Sequence, residues 1–264
     1  MSAQGEIMSK TGKEFEGLME LMARLRAEDG CPWDREQTPA TIKRYLLEEV
    51  YEVVDAVDQQ ASDQVADELG DLIFMAIFLA HLYGEEGQFQ MDQVLRRVGD
   101  KMVRRHPHVF GDRKVDSARQ VKLNWEEIKQ QEKPQKPMGA SFKDIPRALP
   151  ALMRAYRMLS RLSRILKRPL SRDVLLAELH RSFLKLLEQE GENDGSAVTT
   201  ALGRLLLLLV AVTMPAGIRA EEALTGALEK FCHQIEQIEA NFANKGKNWA
   251  ELSKEQESAL WEKI

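Results

Sequence analysis

The chain is poor in the residues that build anything other than helix. Its only cysteines, Cys31 and Cys232, are far apart and lack metal-ligand spacing, which excludes a disulfide framework and a zinc site and fits a reducing compartment. Nine prolines and 16 glycines in 264 residues are too few for a turn-rich β architecture, and strand-like alternation of polar and apolar residues is nearly absent. The opening stretch, residues 1–14, is polar and has no signal-peptide core. The most apolar run, Leu205 to Met214, is preceded by Arg204, interrupted by Thr213 and stopped by Pro215. That is short of the ~20 residues a bilayer requires, and the run reads as a buried helix. A net charge of -5, with basic residues read as scattered, gives no general grip on nucleic acid. These absences point to a cytoplasmic protein with neither nucleic acid nor membrane among its expected partners.

What remains is helical periodicity. It marks a first helix through Phe15, Leu18, Met19, Leu21, Met22 and Leu25, which ends at the loop from Asp29 to Thr38. Thr38 or Thr41 caps a second helix running to about Asp58. A third starts near Ser62, a fourth spans about Met91 to Arg105, and a fifth holds Trp125. Residues 133–138 are rich in Pro, Lys and Gln, the composition of a linker. Helices are then expected at about Arg147–Leu166, Arg172–Gln189, Ser196–Met214 and Arg219–Ala243, with a short last one holding Trp261. The expected organisation is an all-α protein with a first domain at 1–132, a linker at 133–146 and a second domain at 147–264.

Sliding the chain by 133 positions lays Leu69-Gly70 on Leu202-Gly203, and Leu72, Ile73 and Phe74 on Leu205, Leu206 and Leu207. The string Trp125-Glu126-Glu127-Ile128 likewise returns, after a small gap, as Trp261-Glu262-Lys263-Ile264. An internal duplication is inferred.

The chemistry concentrates in five carboxylates. Glu48, Glu49 and Glu52 project to one side of the second helix within a turn, and Glu68 and Asp71 repeat the three-residue spacing on the third. If Val50, Val53 and Val54 pack antiparallel against Leu72, Met75 and Ile77, the acids meet across the interface, and such a cluster needs a cation. Hard oxygen ligands without His or Cys suit Mg²⁺, with Mn²⁺ as a substitute, bridging carboxylates to substrate phosphates. In the duplicated register the five positions become Arg181, Ser182, Lys185, Ala201 and Arg204, so the site is expected only in the first copy.

The paired strings Glu48-Glu49-Val50-Tyr51-Glu52 and Glu68-Leu69-Gly70-Asp71 resemble the E-E-x-x-E and E-x-x-D pattern of the MazG family. Gly30-Cys31-Pro32-Trp33-Asp34, Arg104 to Phe110 and Asp144-Ile145-Pro146 extend the likeness along the chain. The resemblance implies two tandem MazG-like helical bundles, a homodimer, and hydrolysis of nucleoside triphosphates to monophosphate and pyrophosphate. It further implies that Glu49, Glu52, Glu68 and Asp71 ligate the metal while Glu48, with Glu49, serves the attacking water. Lys101, Arg104 and Arg105 are candidates for gripping phosphate, and Trp33 and Trp125 for stacking on the base. The alternative is a weakly active or inactive nucleotide-binding regulator of the same family. Base preference and protein partners are not encoded in these spacings.

Overall fold

The computed structural model describes residues 3–132, 142–188, 195–245, 249 and 252–262. Among them every regular element is a helix, which makes the fold all-α. The chain divides into two compact units, Met1–Lys133 and Pro134–Ile264.

In the first unit α1 (Ala3–Arg26) is followed by the short α2 (Pro32–Glu36), a turn the periodicity did not signal. Gly30 makes this corner possible: a Cβ there would collide with the carbonyl oxygens of Arg24 and Leu25. The following helices are α3 (Pro39–Asp58), α4 (Ser62–Glu85), α5 (Met91–Arg105), the one-turn α6 (Pro107–Phe110) and α7 (Ala118–Gln131). The Thr38 hydroxyl accepts from the Thr41 backbone N–H while the Thr41 hydroxyl accepts from that of Thr38, a reciprocal cap that starts α3 with Pro39 at its first position.

Three residues separate α3 from α4, so the two helices fold back as an antiparallel hairpin, the most extensive helix pairing of the unit. Its core is made by Met22 of α1, Ile42 of α3, and Ile77, Phe78, Ala80 and Leu82 of α4, with Met91 of α5 closing it. Arg26 locks the edge: its guanidinium pairs with Glu85 at 2.7 Å, lies 5.7 Å from the Phe78 ring centroid and donates to the Asp34 carbonyl. The hairpin face differs from the expected one. Ile42 and Ala56 are buried, whereas Val50 and Val54 are exposed alongside Leu47, Tyr51 and Val57.

The second unit contains α8 (Ala151–Ile165), α9 (Arg172–Glu188), α10 (Gly195–Thr213), α11 (Ala220–Lys245) and α12 (Lys254–Glu262). Residues 133–141, most of the expected linker, lie outside the described residues. The rest of it belongs to the unit, since Ile145 is buried. Helix α8 begins at Ala151 rather than Arg147 because Pro150, with ψ 142°, holds extended backbone at its N-cap. The Glu221 carboxylate of α11 then accepts from the Met153 N–H and supplies the missing cap.

Helix α10 is not simply the buried helix expected. Leu205, Val210 and Ala211 are buried, but Leu202, Leu206, Leu207 and Leu209 are exposed. With the turn Met214–Ala216 that follows it, the helical stretch Gly195–Ala216 is longer than the apolar run and is long and apolar enough to cross a membrane by length and composition, with a mean hydropathy of 2.0 in an 18-residue window. Nor are the basic residues scattered. From 145 to 172 the chain carries seven arginines and one lysine and no acid, centred on α8.

Candidate metal centre and nucleotide site

The hairpin turn sets the geometry. Gln60, at φ 57°, reverses the chain. Glu52 lies eight residues before it and Glu68 eight after; Glu49 lies eleven before and Asp71 eleven after. In an antiparallel pair with equal rise per residue, these become two rungs at matching heights. Facing is decided by the core: Glu49 stands seven residues beyond buried Ile42, and Asp71 seven before buried Phe78, so each lies in line with its helix's buried stripe but at its open end, Glu49 half-buried and Asp71 exposed.

Carboxylate oxygens of Glu49, Glu68 and Asp71 accordingly lie within 4.8 Å of one another. Glu52 lies close enough to Glu49 and Glu68 for its charge to act on both. Carboxylates gathered this closely repel one another, and a proton or a cation among them relieves the repulsion. The Glu49 carboxyl is held above the usual carboxylate range, first by partial burial and then by the charges of Glu52, Asp71 and Glu68. That of Glu68 is raised in the same way, by desolvation and then by Glu52 and Asp71. Glu48 is exposed on α3, outside the group of three. The donor set, all carboxylate oxygen on two rigid helices, fits a hard divalent cation.

The other candidate residues are placed as follows. Lys101 is half-buried on α5. Arg104 and Arg105 both pair with Glu132, at 2.7 Å from Arg104 Nε and 3.0 Å from Arg105 Nε. The Arg105 guanidinium also lies 5.4 Å from the Trp125 ring centroid, and His106 meets that ring edge-on at 4.9 Å. Trp125 is half-buried between the Arg105 guanidinium and the His106 ring, whereas Trp33 is 51% exposed with its ring tilted against that of Tyr45 at 5.7 Å. The His106 Nδ1 sits 2.6 Å from the Met102 carbonyl, a helix-end contact that accounts for this ring structurally.

Glu132 escaped the sequence reading. The two guanidiniums push its carboxyl down to about 2. Its spacing of seven from Trp125 was the available signal, since it places both on one face of that helical stretch.

In the second unit the positions aligned by the 133-residue shift hold no carboxylate. Ser182 is buried, and Arg181 and Arg204 converge from α9 and α10 on Glu178, the former at 2.6 Å. An ion pair thus ties these two helices together.

The profile of the MazG nucleotide pyrophosphohydrolase domain matches residues 37–110, the stretch containing the hairpin and α5. A nucleoside triphosphate pyrophosphohydrolase of Escherichia coli K12 is 35% identical over 254 residues, covering 95% of this chain and 97% of that protein. The chain belongs to the MazG family. A second MazG relative, the nucleoside triphosphate pyrophosphohydrolase/pyrophosphatase MazG of Thermotoga maritima, is 33% identical over 256 residues, 97% of each chain. Among solved structures, a MazG-related protein from Thermotoga maritima is similar at 27% identity with a TM-score of 0.38, covering 44% of this chain and 98% of that one.

Proposed function

We propose that this MazG protein hydrolyses nucleoside triphosphates to monophosphate and pyrophosphate, in a Mg²⁺-dependent reaction run by the first unit. The single observation carrying the reading is the convergence of Glu49, Glu68 and Asp71, joined by Glu52, from two helices whose turn and core hold them at matching heights. When bound there, Mg²⁺ supplies the positive charge that phosphate oxygens need beside an acidic cluster. Glu49, Glu52, Glu68 and Asp71 hold the ion, Mn²⁺ being a substitute. Glu48, exposed one position from Glu49, orients and deprotonates the attacking water. Lys101 offers charge to the triphosphate, with Arg104 and Arg105 released from or shared with Glu132. Trp33 has a free face for a base, and Trp125 supports Arg105 as well as lying in reach of nucleotide.

The second unit is a duplicated copy whose site has been replaced, the α9 and α10 pair corresponding to α3 and α4. Its Arg181–Glu178–Arg204 tie explains how the pair stays joined without a metal. The exposed apolar face of Leu47, Val50, Tyr51, Val54 and Val57 is covered by a second copy of the chain, making a homodimer. The same arrangement covers the α10 leucines and keeps the protein in the cytoplasm.

The test is turnover of each nucleoside triphosphate with Mg²⁺, reading pyrophosphate and monophosphate, against Glu49→Gln. Turnover abolished by Glu49→Gln and untouched by Arg204→Ala assigns the reaction to the first unit. Metal-dependent nucleotide binding without turnover would leave a regulator instead of an enzyme.

A further inference from the structure

The two halves of the chain differ in charge. Residues 1–133 carry 18 basic and 26 acidic residues, and residues 134–264 carry 19 and 16, so the second unit alone is net positive. Its excess is centred on α8, where Arg154, Arg157, Arg161 and Arg164 follow one another at spacings of three, four and three, a single stripe along the helix. Like charges at this spacing repel, each pair costing a few tenths of a kcal/mol. The helix dipole favours a cation or two in the last turn, but it does not explain a stripe that begins in the first.

At the C-terminal end of that stripe lies an open pocket of about 530 Å³, lined by Tyr156, Ser160, Ser163, Arg164, Lys167 and Arg168, with Pro169 and Met214 at its rim. Tyr156, Ser160, Ser163 and Lys167 recur at helical spacing and present one polar face to it. The guanidinium of Arg219, from the segment preceding α11, lies 4.0 Å from the Tyr156 ring centroid and adds a further cation beside the pocket. Two features are unsettled. The buried Ser163 Oγ has no hydrogen-bond partner among the described residues, although a helical serine ordinarily finds one. Lys167 and Arg168 have no ion-pair partner among the described residues, and Lys167 takes φ 53°, a left-handed conformation that glycine adopts at less cost.

We propose that this pocket binds the phosphate chain of a di- or triphosphate directly, without a metal ion, making the second unit an anion-sensing site distinct from the acidic hairpin. Hydroxyl donors among several cations are what a polyphosphate requires, and the absence of acids between Asp144 and Asp173 leaves no ligand for Mg²⁺ on this stretch. The choice of ligand rests on the proposed reaction, whose substrate and product both carry such a chain. Both sources share the chemistry, and the binding experiment separates them.

The experiment is calorimetric titration of the full chain in EDTA with inorganic pyrophosphate, tripolyphosphate, ATP and AMP. One site per chain is expected for the first three, with AMP much weaker. Pyrophosphate binding as tightly as ATP marks a product site, and tighter ATP binding a substrate site. The paired substitution Lys167→Glu with Arg168→Glu, both exposed, is expected to weaken binding at least tenfold. Ser163→Ala should weaken it a few-fold, and Glu49→Gln should leave it unchanged. Mg²⁺-dependent turnover, measured separately, reports on the first unit and stands or falls independently. The proposal is overturned by absence of binding in EDTA, by binding that survives the paired substitution in a protein of native circular dichroism, or by binding confined to long single-stranded RNA.

Discussion

Glu49→Gln separates a metal centre from an ordinary acidic surface without any appeal to turnover. The carboxylates of Glu49, Glu68 and Asp71 lie within 4.8 Å of one another, and the Glu49 carboxyl is already raised by partial burial and its acidic neighbours. The metal-free protein therefore carries unrelieved repulsion, which a bound cation removes. At Mg²⁺ roughly one hundred times its Kd, ligand linkage adds about 2.7 kcal/mol to stability. For a unit of this size, Met1–Lys133, that corresponds to a rise in Tm of about 10 °C. Losing one of the clustered ligands weakens affinity by at least about a hundredfold, so the same Mg²⁺ then adds only about 0.4 kcal/mol, a shift of 1–2 °C. Because the amide also removes a repulsive charge, the metal-free variant should melt no lower than the parent. Tryptophan fluorescence in a background with Trp249→Phe and Trp261→Phe follows the first unit through Trp33 and Trp125. An equal Mg²⁺ shift in parent and variant, or a metal-free Tm that falls by more than about 5 °C, would refute the reasoning.

Three further outcomes follow from the same geometry. Phe78→Ala empties the centre of the hairpin core, where the ring is 1% exposed, and should cost about 3–5 kcal/mol in urea unfolding of the first unit. Glu132→Gln should flatten the acid limb of stability: a carboxyl depressed to about 2 contributes stability that is complete above its unfolded value near 4.5 and is lost as pH falls toward 2. Acid titration followed by circular dichroism should therefore show parent and variant converging below that window. Trp33→Ala should raise KM roughly tenfold with kcat little changed if its exposed ring stacks on the base, an unchanged KM showing that it does not.

Most of the helical framework was legible in one sequence. Apolar spacing located α3, α4 and α5 to within a few residues and put a helix at Trp125, where α7 lies, because an amphipathic helix writes its buried face into the order of its side chains. The short α2 and α6 were not legible: each is a single turn after a proline, too brief for a period to register. The basic stripe was missed because arginines three and four apart look dispersed in a line and adjacent only on a cylinder.

The carboxylates themselves and their spacing were determined by sequence, as was the absence of carboxylates at the positions 133 residues further on. Tertiary structure decided the rest. It took the turn at Gln60 to set Glu49 level with Asp71 and Glu52 level with Glu68, and buried Ile42 and Phe78 to turn those rungs toward each other at the open edge of the hairpin, where Glu49 and Glu68 are half-buried and Glu52 and Asp71 exposed. It also revealed that Glu132 holds Arg104 and Arg105 together, and that Val50 and Val54 face outward instead of into the hairpin. The physical reason is that a local pattern specifies which side of a helix is distinctive, whereas which helix that side meets depends on turns and cores assembled from residues distant along the chain.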